Sequence, residues 1–341
     1  MNIKFIEKIP IPRLKFPTEL EFEPIQLCNA KCFTCPYTFL EKEPDYKNVR
    51  MSRENIEVLL SDFGNLLKKN KYYGTAFVNP FRFSDPLICP DLDLVFEQAK
   101  KFNFKIRITT NGVSFNEKTG YLLNKYINHI HENVSISVIG STVKKVKKNM
   151  SVNLDLTLIR LKDISKKYPE LTKKITIGLA EVEKSQEENF EFAELSKKFN
   201  SMGIKTYIKK NWIYNRINGE IKDQDKQNFI KGCGLFKNKP LRRIEVKVDG
   251  SVVLCDDDAD GRKVFGNVFK EGIEKIWQGP LLKEHLLIYQ KDYSENKKNL
   301  ICKTCSRAQW NSRKGNAFNS LKELKSSFVL KESLKKNVSW I

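Results

Sequence analysis

The chain has 341 residues, 40% hydrophobic and 30% charged, with a formal net charge of +20. That length holds a domain of about 200–250 residues plus a smaller one. No apolar run approaches the roughly 20 residues that a membrane span needs. The N-terminus Met1-Asn2-Ile3-Lys4-Phe5 lacks the long apolar core and small-residue cleavage site of a signal peptide. A membrane protein and a secreted protein are therefore not expected; a reducing cytoplasm is. There, eight cysteines serve metal binding or catalysis rather than disulfides. The lysines fall in short clusters all along the chain (Lys144-Lys145, Lys147-Lys148, Lys173-Lys174, Lys209-Lys210). Such scatter reads as solvated faces, so the charge by itself specifies no nucleic-acid partner.

Residues 1–19, with Pro10, Pro12 and Pro17, read as an irregular lead-in. Leu20, Phe22, Ile25 and Leu27 alternate as in a short strand. The loop after it is Cys28-Asn29-Ala30-Lys31-Cys32-Phe33-Thr34-Cys35-Pro36, three thiols spaced C-x3-C-x2-C. Loops at the carboxyl ends of strands carry the sites of barrel and open α/β folds. Three close, soft thiolates suit an iron–sulfur cluster or zinc. A three-ligand set leaves one position open, the mark of a catalytic rather than a structural site.

Residues 36–51 are polar and read as loop. Ser52 caps an expected helix to about Lys68, with Ile56, Leu59, Leu60, Phe63, Leu66 and Leu67 on one face. An apolar, β-rich run from Thr75 to Phe83 ends in Ser84-Asp85-Pro86-Leu87. The alternation then continues: helix 92–102, strand 104–109 with Thr109-Thr110-Asn111-Gly112 at its end, helix 117–129 and strand 134–138 containing Ser137. Helix 154–167, strand 175–179 with Gly178, helix 186–200 and strand 204–209 complete six units. The aromatic and polar stretch 212–219 is a candidate substrate loop or a surface linker. Six strand–helix alternations predict a parallel α/β sheet, open or closed. His129, His131 and His285 have no ligand spacing, and none is expected in catalysis.

After residue 225 the pattern changes. Cys233 precedes an alternating run, Arg243 to Val248, the turn signal Asp249-Gly250, and Ser251-Val252-Val253-Leu254-Cys255. Gly266-Asn267-Val268, Ile276-Trp277 and Cys302-Lys303-Thr304-Cys305 follow. Four thiols close a site completely; on spacing alone, structural zinc and an iron–sulfur cluster stand level. Cys89 is left over and reads as a small buried hydrophobe, with a hydrogen-atom donor as the sharper alternative. The tail from Asn316 to Lys336 has near-helical apolar spacing and reads as an amphipathic helix.

The loop Cys28-x3-Cys32-x2-Cys35 resembles the cluster motif of the radical S-adenosylmethionine (SAM) enzymes. The resemblance implies a partial (β/α)6 barrel in which the three cysteines hold a [4Fe-4S] cluster. SAM then chelates its fourth iron and is cleaved reductively to a 5′-deoxyadenosyl radical. Phe33 stands near the position of the family's aromatic contact to SAM. Phe83-Ser84-Asp85-Pro86 resembles the family's Gly-Gly-Glu-Pro strand end, with Asp85 for Glu and no glycine, which implies that Ser84 and Asp85 receive the SAM amino group. Asn111, Ser137 and Gly178 fall at the strand ends where the family contacts SAM or substrate. The second cysteine set, with its Gly-Asn-Val and Ile-Trp segments, resembles the SPASM/Twitch auxiliary-cluster extension. No cysteine follows Cys305, so the shortened Twitch form is implied: one auxiliary [4Fe-4S] cluster on Cys233, Cys255, Cys302 and Cys305, in a small β-hairpin/helix domain.

The expected organisation is a lead-in (1–19), the partial barrel (20–225), the auxiliary-cluster domain (226–310) and a helical tail (311–341). The expected activity is hydrogen-atom abstraction by the adenosyl radical, most simply the oxidation of a small molecule such as an amino-sugar or cyclitol. Epimerisation and peptide modification are the alternatives. A flavodoxin- or ferredoxin-type reductant is the implied partner. A zinc-binding nucleic-acid protein is the remote alternative.

Overall fold

The computed structural model describes residues 12–43, 46, 49–210, 230–233, 239–259, 261, 263–289, 302, 308–310 and 338–340. The chain divides into two compact units, one of residues 21–60 and 76–217 and the other of residues 1–20, 61–75 and 218–341.

The first unit is an open, mostly parallel sheet with helices between its strands. Its strands follow chain order: β1 (Glu19–Phe22, of which this unit holds the part from Glu21), β2 (Phe77–Asn79), β3 (Lys105–Thr110), β4 (Ile130–Ile139), β5 (Ile175–Ala180) and β6 (Lys205–Lys209). Each pair from β2–β3 to β5–β6 is parallel. Parallel strands need crossovers, and helices supply them: Arg53–Lys69, Leu92–Phe102, Glu117–Lys125, Val143–Met150, Leu154–Lys167, Pro169–Lys174 and Gln186–Asn200.

Period-2 patterning sets the two faces of the sheet. Val78, Ile106, Ile108, Val134, Ile136, Ile177 and Leu179 are all at most 1% exposed, as are Val95, Phe96, Ala99, Leu123, Leu161, Phe192 and Phe199 on the helices. Each such Val, Ile, Leu or Phe side chain contributes about 1.5–3 kcal/mol by leaving water. The other face carries Thr109, Ser135, Ser137, Thr176, Gly178, Tyr207 and Lys209, register-matched across the strands. A polar face across four strands contributes little to a core, because polar groups lose their hydration there.

The helix ends follow local chemistry. The Asn116 side chain and Thr119 form a reciprocal capping box, and Asn153 and Ser185 accept from the first-turn amides of their helices. Asn103 closes the Leu92–Phe102 helix in the left-handed region, φ +58°.

The sequence reading holds for six alternations and differs in detail. The expected strand over 75–83 contracts to Phe77–Asn79, because Pro80 has no amide to continue the ladder. The expected run through Leu27 ends at Phe22, with only an isolated bridge from Ile25 to Arg50 beyond it. Residues 37–40, read as loop, form a helical turn. The lysine-rich Val143–Met150 segment, read as part of a solvated stretch, is a helix. The 212–219 loop and the expected tail helix over 316–336 lie outside the described residues.

In the second unit the Asp249-Gly250 turn is present: Arg243–Val246 pairs antiparallel with Val252–Val253, and Gly250 takes φ +83°. Pro12–Leu14 pairs with Val338–Trp340, and Ile230–Cys233 with Ala308–Trp310, both antiparallel. Its core includes a charge. Arg13 is fully buried, lies 4.3 Å over the Trp277 ring and donates to His285 Nδ1 at 2.9 Å. Burial holds His285 well below the usual histidine pKa, so it stays neutral and accepts at Nδ1. Trp277 Nε1 donates to the Leu14 carbonyl at 3.0 Å. His285 is thus a packing and hydrogen-bonding residue.

Candidate active site

The thiol loop sits in the first unit, after the short segment 23–27 that follows β1. Its backbone is fixed from outside: Lys31 N donates to Met150 O at 2.8 Å and Phe33 N to Asn149 O at 3.0 Å. Thr38 Oγ1 donates to Cys32 O at 2.8 Å, and Cys35 N to Cys32 O at 2.9 Å. The three thiols are partly exposed and lie within electrostatic reach of one another. Burial pushes Cys28 up to about 12, and Asp85 and Cys35 add to it; Cys32 is raised by burial and by both neighbouring thiols. Packed thiols that repel one another's ionisation are stabilised as thiolates by a shared cation.

Asn111, just past the end of β3, completes the surroundings. Its Nδ2 lies 3.7 Å from Cys28 Sγ and 2.6 Å from Asn29 Oδ1, and Asn29 Nδ2 donates to Ser114 Oγ at 2.7 Å. Amide donors to cluster-ligating sulfur stabilise negative charge there. The donor set, three soft thiols and a sulfur-directed amide, fits an iron–sulfur cluster.

Asp85 is 2% exposed. Its carboxylate accepts from Thr110 Oγ1 (2.7 Å), Asn111 N (2.8 Å) and Leu87 N (2.9 Å). It therefore ties the β2 strand end to the β3 strand end and orients Asn111 toward Cys28. Burial raises its pKa, and the three donors oppose that shift. Ser84 Oγ is enclosed and has no hydrogen-bond partner among the described residues. Phe33 is 43% exposed on the loop.

Ser137 and Gly178 are directly paired across β4 and β5. Sequence reasoning missed what joins them. Lys209, at the end of β6, reaches back across β5 and donates from Nζ to Ser137 Oγ at 3.3 Å. Gly178 makes the crossing possible: a Cβ there would stand 2.4 Å from Lys209 Cε and 2.9 Å from Nζ. Burial lowers Lys209 to about 8. Tyr207, under the same ammonium, has its hydroxyl 3.4 Å from Ser135 Oγ. Lys209, read from the sequence as one of a solvated pair, thus turns inward. The available signal was the alternation Lys205, Tyr207, Lys209 beside a strand glycine. Cys89 is buried, and burial holds its thiol up at about 11, so it is not a thiolate.

The second cysteine set lies in the other unit. The Cys233 backbone pairs with Ala308, which brings the chain just past Cys305 beside Cys233. The Cys255 thiol is raised by burial, by Asp256 and Asp257, and by the Cys302 thiol, so Cys255 and Cys302 are neighbours. Cys305 lies outside the described residues. The Cys255 sulfur and carboxylate oxygens of Asp256 and Asp257 lie within 4.8 Å of one another. Sequence reasoning overlooked these two acids, although Asp256-Asp257-Asp258 follows the cysteine directly.

A family model for the SPASM iron–sulfur cluster-binding domain matches residues 233–306. No curated protein sequence matches the chain. Among solved structures, BtrN in complex with AdoMet and 2-DOIA is similar at 15% identity and TM-score 0.51, over 84% of this chain and 94% of that one. Streptococcus suis SuiB bound to S-adenosylmethionine is similar at 16% identity and TM-score 0.54, over 95% of this chain and 78% of that one. SuiB bound to its precursor peptide SuiA is similar at 17% identity and TM-score 0.53, over 86% of this chain and 70% of that one. The chain has the fold of BtrN and SuiB, and its residues 233–306 match the SPASM iron–sulfur cluster-binding domain.

Proposed function

We propose that this protein is a radical SAM enzyme that oxidises a polar small molecule at a C–H bond bearing a hydroxyl or amine. The observation that carries the reading is the convergence of Cys28, Cys32 and Cys35 on one loop after the first strand of a parallel sheet, with Asn111 aimed at Cys28. When bound, the cluster and SAM supply a 5′-deoxyadenosyl radical that takes a hydrogen atom, and an auxiliary cluster supplies an electron acceptor.

The chain's own residues provide the rest. Cys28, Cys32 and Cys35 are the ligands of the catalytic cluster. Cys233, Cys255, Cys302 and Cys305 are those of the auxiliary one, and a fully ligated cluster suits electron transfer better than substrate binding. The polar strip of Thr109, Ser135, Ser137 and Tyr207 suits a hydroxylated or aminated ligand, and Phe33, Ser84 and Asn111 border the cofactor side. Oxidation of an alcohol carbon removes a hydrogen atom, an electron and the hydroxyl proton. Lys209 Nζ, at about 8, is neutral often enough near pH 7–8 to accept that proton.

BtrN was solved with AdoMet and 2-DOIA, and SuiB with a precursor peptide. Both small-molecule and peptide substrates therefore fit the fold, and the polar inner strip favours the former. The test is to incubate the reconstituted enzyme with SAM, dithionite and a panel of amino-cyclitols and amino-sugars. A product lighter by two hydrogens, formed with matching 5′-deoxyadenosine, is expected. A product of unchanged mass would replace oxidation with epimerisation.

A further inference from the structure

The segment after the thiol loop folds back onto it. Tyr37–Leu40 is helical. The chain then turns, with Lys42 N donating to Phe39 O and Glu43 N to Leu40 O, both at 3.0 Å, and Tyr46 N to Glu43 O at 3.0 Å. Side chains tie this segment to the loop: Lys31 Nζ pairs with Glu41 at 3.0 Å, and Thr38 Oγ1 donates to Cys32 O at 2.8 Å. The Tyr46 ring meets the buried Tyr37 ring edge-on, with centroids 6.2 Å apart. Tyr46 is thereby brought beside the cysteines, though 11 positions separate it from Cys35.

The Tyr46 hydroxyl is enclosed and has no hydrogen-bond partner among the described residues. A buried tyrosine hydroxyl ordinarily finds an acceptor, and one left unpaired points to a partner other than the protein. The groups that act on it electrostatically are Glu23, Tyr37, the Cys35 thiol and Arg82. Burial pushes its pKa up, and the Glu23 carboxylate adds to that, so it keeps its proton and is a donor. Arg82 offers no acceptor. The Tyr37 hydroxyl is bonded to the Cys28 backbone. Glu23 accepts from Gln26 Nε2 at 3.3 Å and makes no bond to Tyr46. A protonated thiol is a weak acceptor, whereas cluster-bound sulfur carries negative charge.

We infer that the Tyr46 hydroxyl donates a hydrogen bond to sulfur of the catalytic cluster on its Cys35 side and so raises the cluster's reduction potential. Hydrogen bonds to cluster sulfur offset the negative charge that reduction increases. Asn111 approaches from the Cys28 side, so the two donors bracket the ligand set. This inference rests on the radical SAM reading and assigns that same site a donor that lies outside its cysteine loop.

The test compares the full-length wild type with Tyr46→Phe, which keeps the ring against Tyr37 and removes only the hydroxyl. Both are first unfolded in urea as apoproteins under reducing conditions. Because the hydroxyl is enclosed without an acceptor, the variant should have the higher midpoint. Both are then reconstituted anaerobically and titrated against potential, with EPR detection. The catalytic cluster is the signal missing from a Cys28→Ala/Cys32→Ala/Cys35→Ala variant. In Tyr46→Phe its reduced-to-oxidised ratio at a fixed potential should fall by at least about threefold, the equivalent of a modest hydrogen bond. Iron content and the auxiliary cluster's titration should not change. An exchangeable proton coupled to the catalytic cluster, detected by ENDOR in the wild type, should be missing from the variant. A lower apoprotein midpoint in the variant would overturn the inference, because the hydroxyl would then be bonded within the protein. Equal potentials and equal proton couplings in the reconstituted proteins would also overturn it. Failure of the radical SAM reading is distinct: the wild-type EPR spectrum would not respond to SAM, while the effect of Tyr46→Phe is still read on the cluster that Cys35 holds.

Discussion

Lys209→Met is expected to stabilise the apoprotein at neutral pH. Burial lowers Lys209 from 10.5 to about 8, so the folded state holds its proton less tightly than the unfolded chain. Between those two values the unfolded state binds more protons, and stability rises with pH. Below about 8 both states are protonated, and the folded state bears the full cost of a partly buried ammonium. At 1.36 kcal/mol per pH unit the displacement corresponds to about 3 kcal/mol. Residual solvent at the strand end and the lost bond to Ser137, about 0.5–1.5 kcal/mol, reduce the net gain to about 1–2 kcal/mol. Met keeps the apolar stem over Gly178 without the charge. The assay is urea unfolding of both apoproteins at pH 7 and pH 10.5, under reducing conditions. The variant should have the higher midpoint at pH 7 and lose that advantage by pH 10.5. A variant less stable at pH 7, or a difference independent of pH, would refute the burial argument.

Gly178→Ala should displace the Lys209 side chain, because the new Cβ would lie 2.4 Å from Cε. Since the obstacle is a flexible side chain, stability should change by less than about 1 kcal/mol, while the pKa of Lys209, followed by NMR of labelled lysine, moves back toward 10.5. Asn111→Ala removes the amide 3.7 Å from Cys28 Sγ; the catalytic cluster's midpoint potential should fall in an EPR-monitored titration, with iron content retained. Asp85→Ala leaves Thr110 Oγ1, Asn111 N and Leu87 N without their shared acceptor. A loss of about 2–4 kcal/mol in urea unfolding is expected, with Asp85→Asn intermediate.

The thiol loop was legible in the sequence because its chemistry is local: three cysteines in eight residues need no tertiary information to be recognised as a ligand set. The six strand–helix alternations were legible for the same reason, since periods of 2 and 3.6 are written in neighbouring residues. What escaped was set by contacts across strands. Lys209 belongs to a lysine pair in the sequence and turns inward only because Gly178, 31 positions earlier, leaves room for it on the next strand. Asp85 reads as a turn acid or a ligand; its three bonds to residues 87, 110 and 111 depend on how β2 and β3 end side by side. The Val143–Met150 helix was hidden by its lysines: Val143, Val146 and Met150 carry the period, but the charges between them read as a solvated run.

Two separate cysteine sets are proposed to hold two iron–sulfur clusters, one of which cleaves SAM. The most direct measurement is anaerobic reconstitution with iron and sulfide, followed by SAM and dithionite, with iron and 5′-deoxyadenosine quantified per chain. The wild type should hold about eight irons and release 5′-deoxyadenosine, and a Cys28→Ala/Cys32→Ala/Cys35→Ala variant should keep about four irons and release none. Tightly bound zinc with no iron uptake, or 5′-deoxyadenosine from the triple variant, would contradict the account.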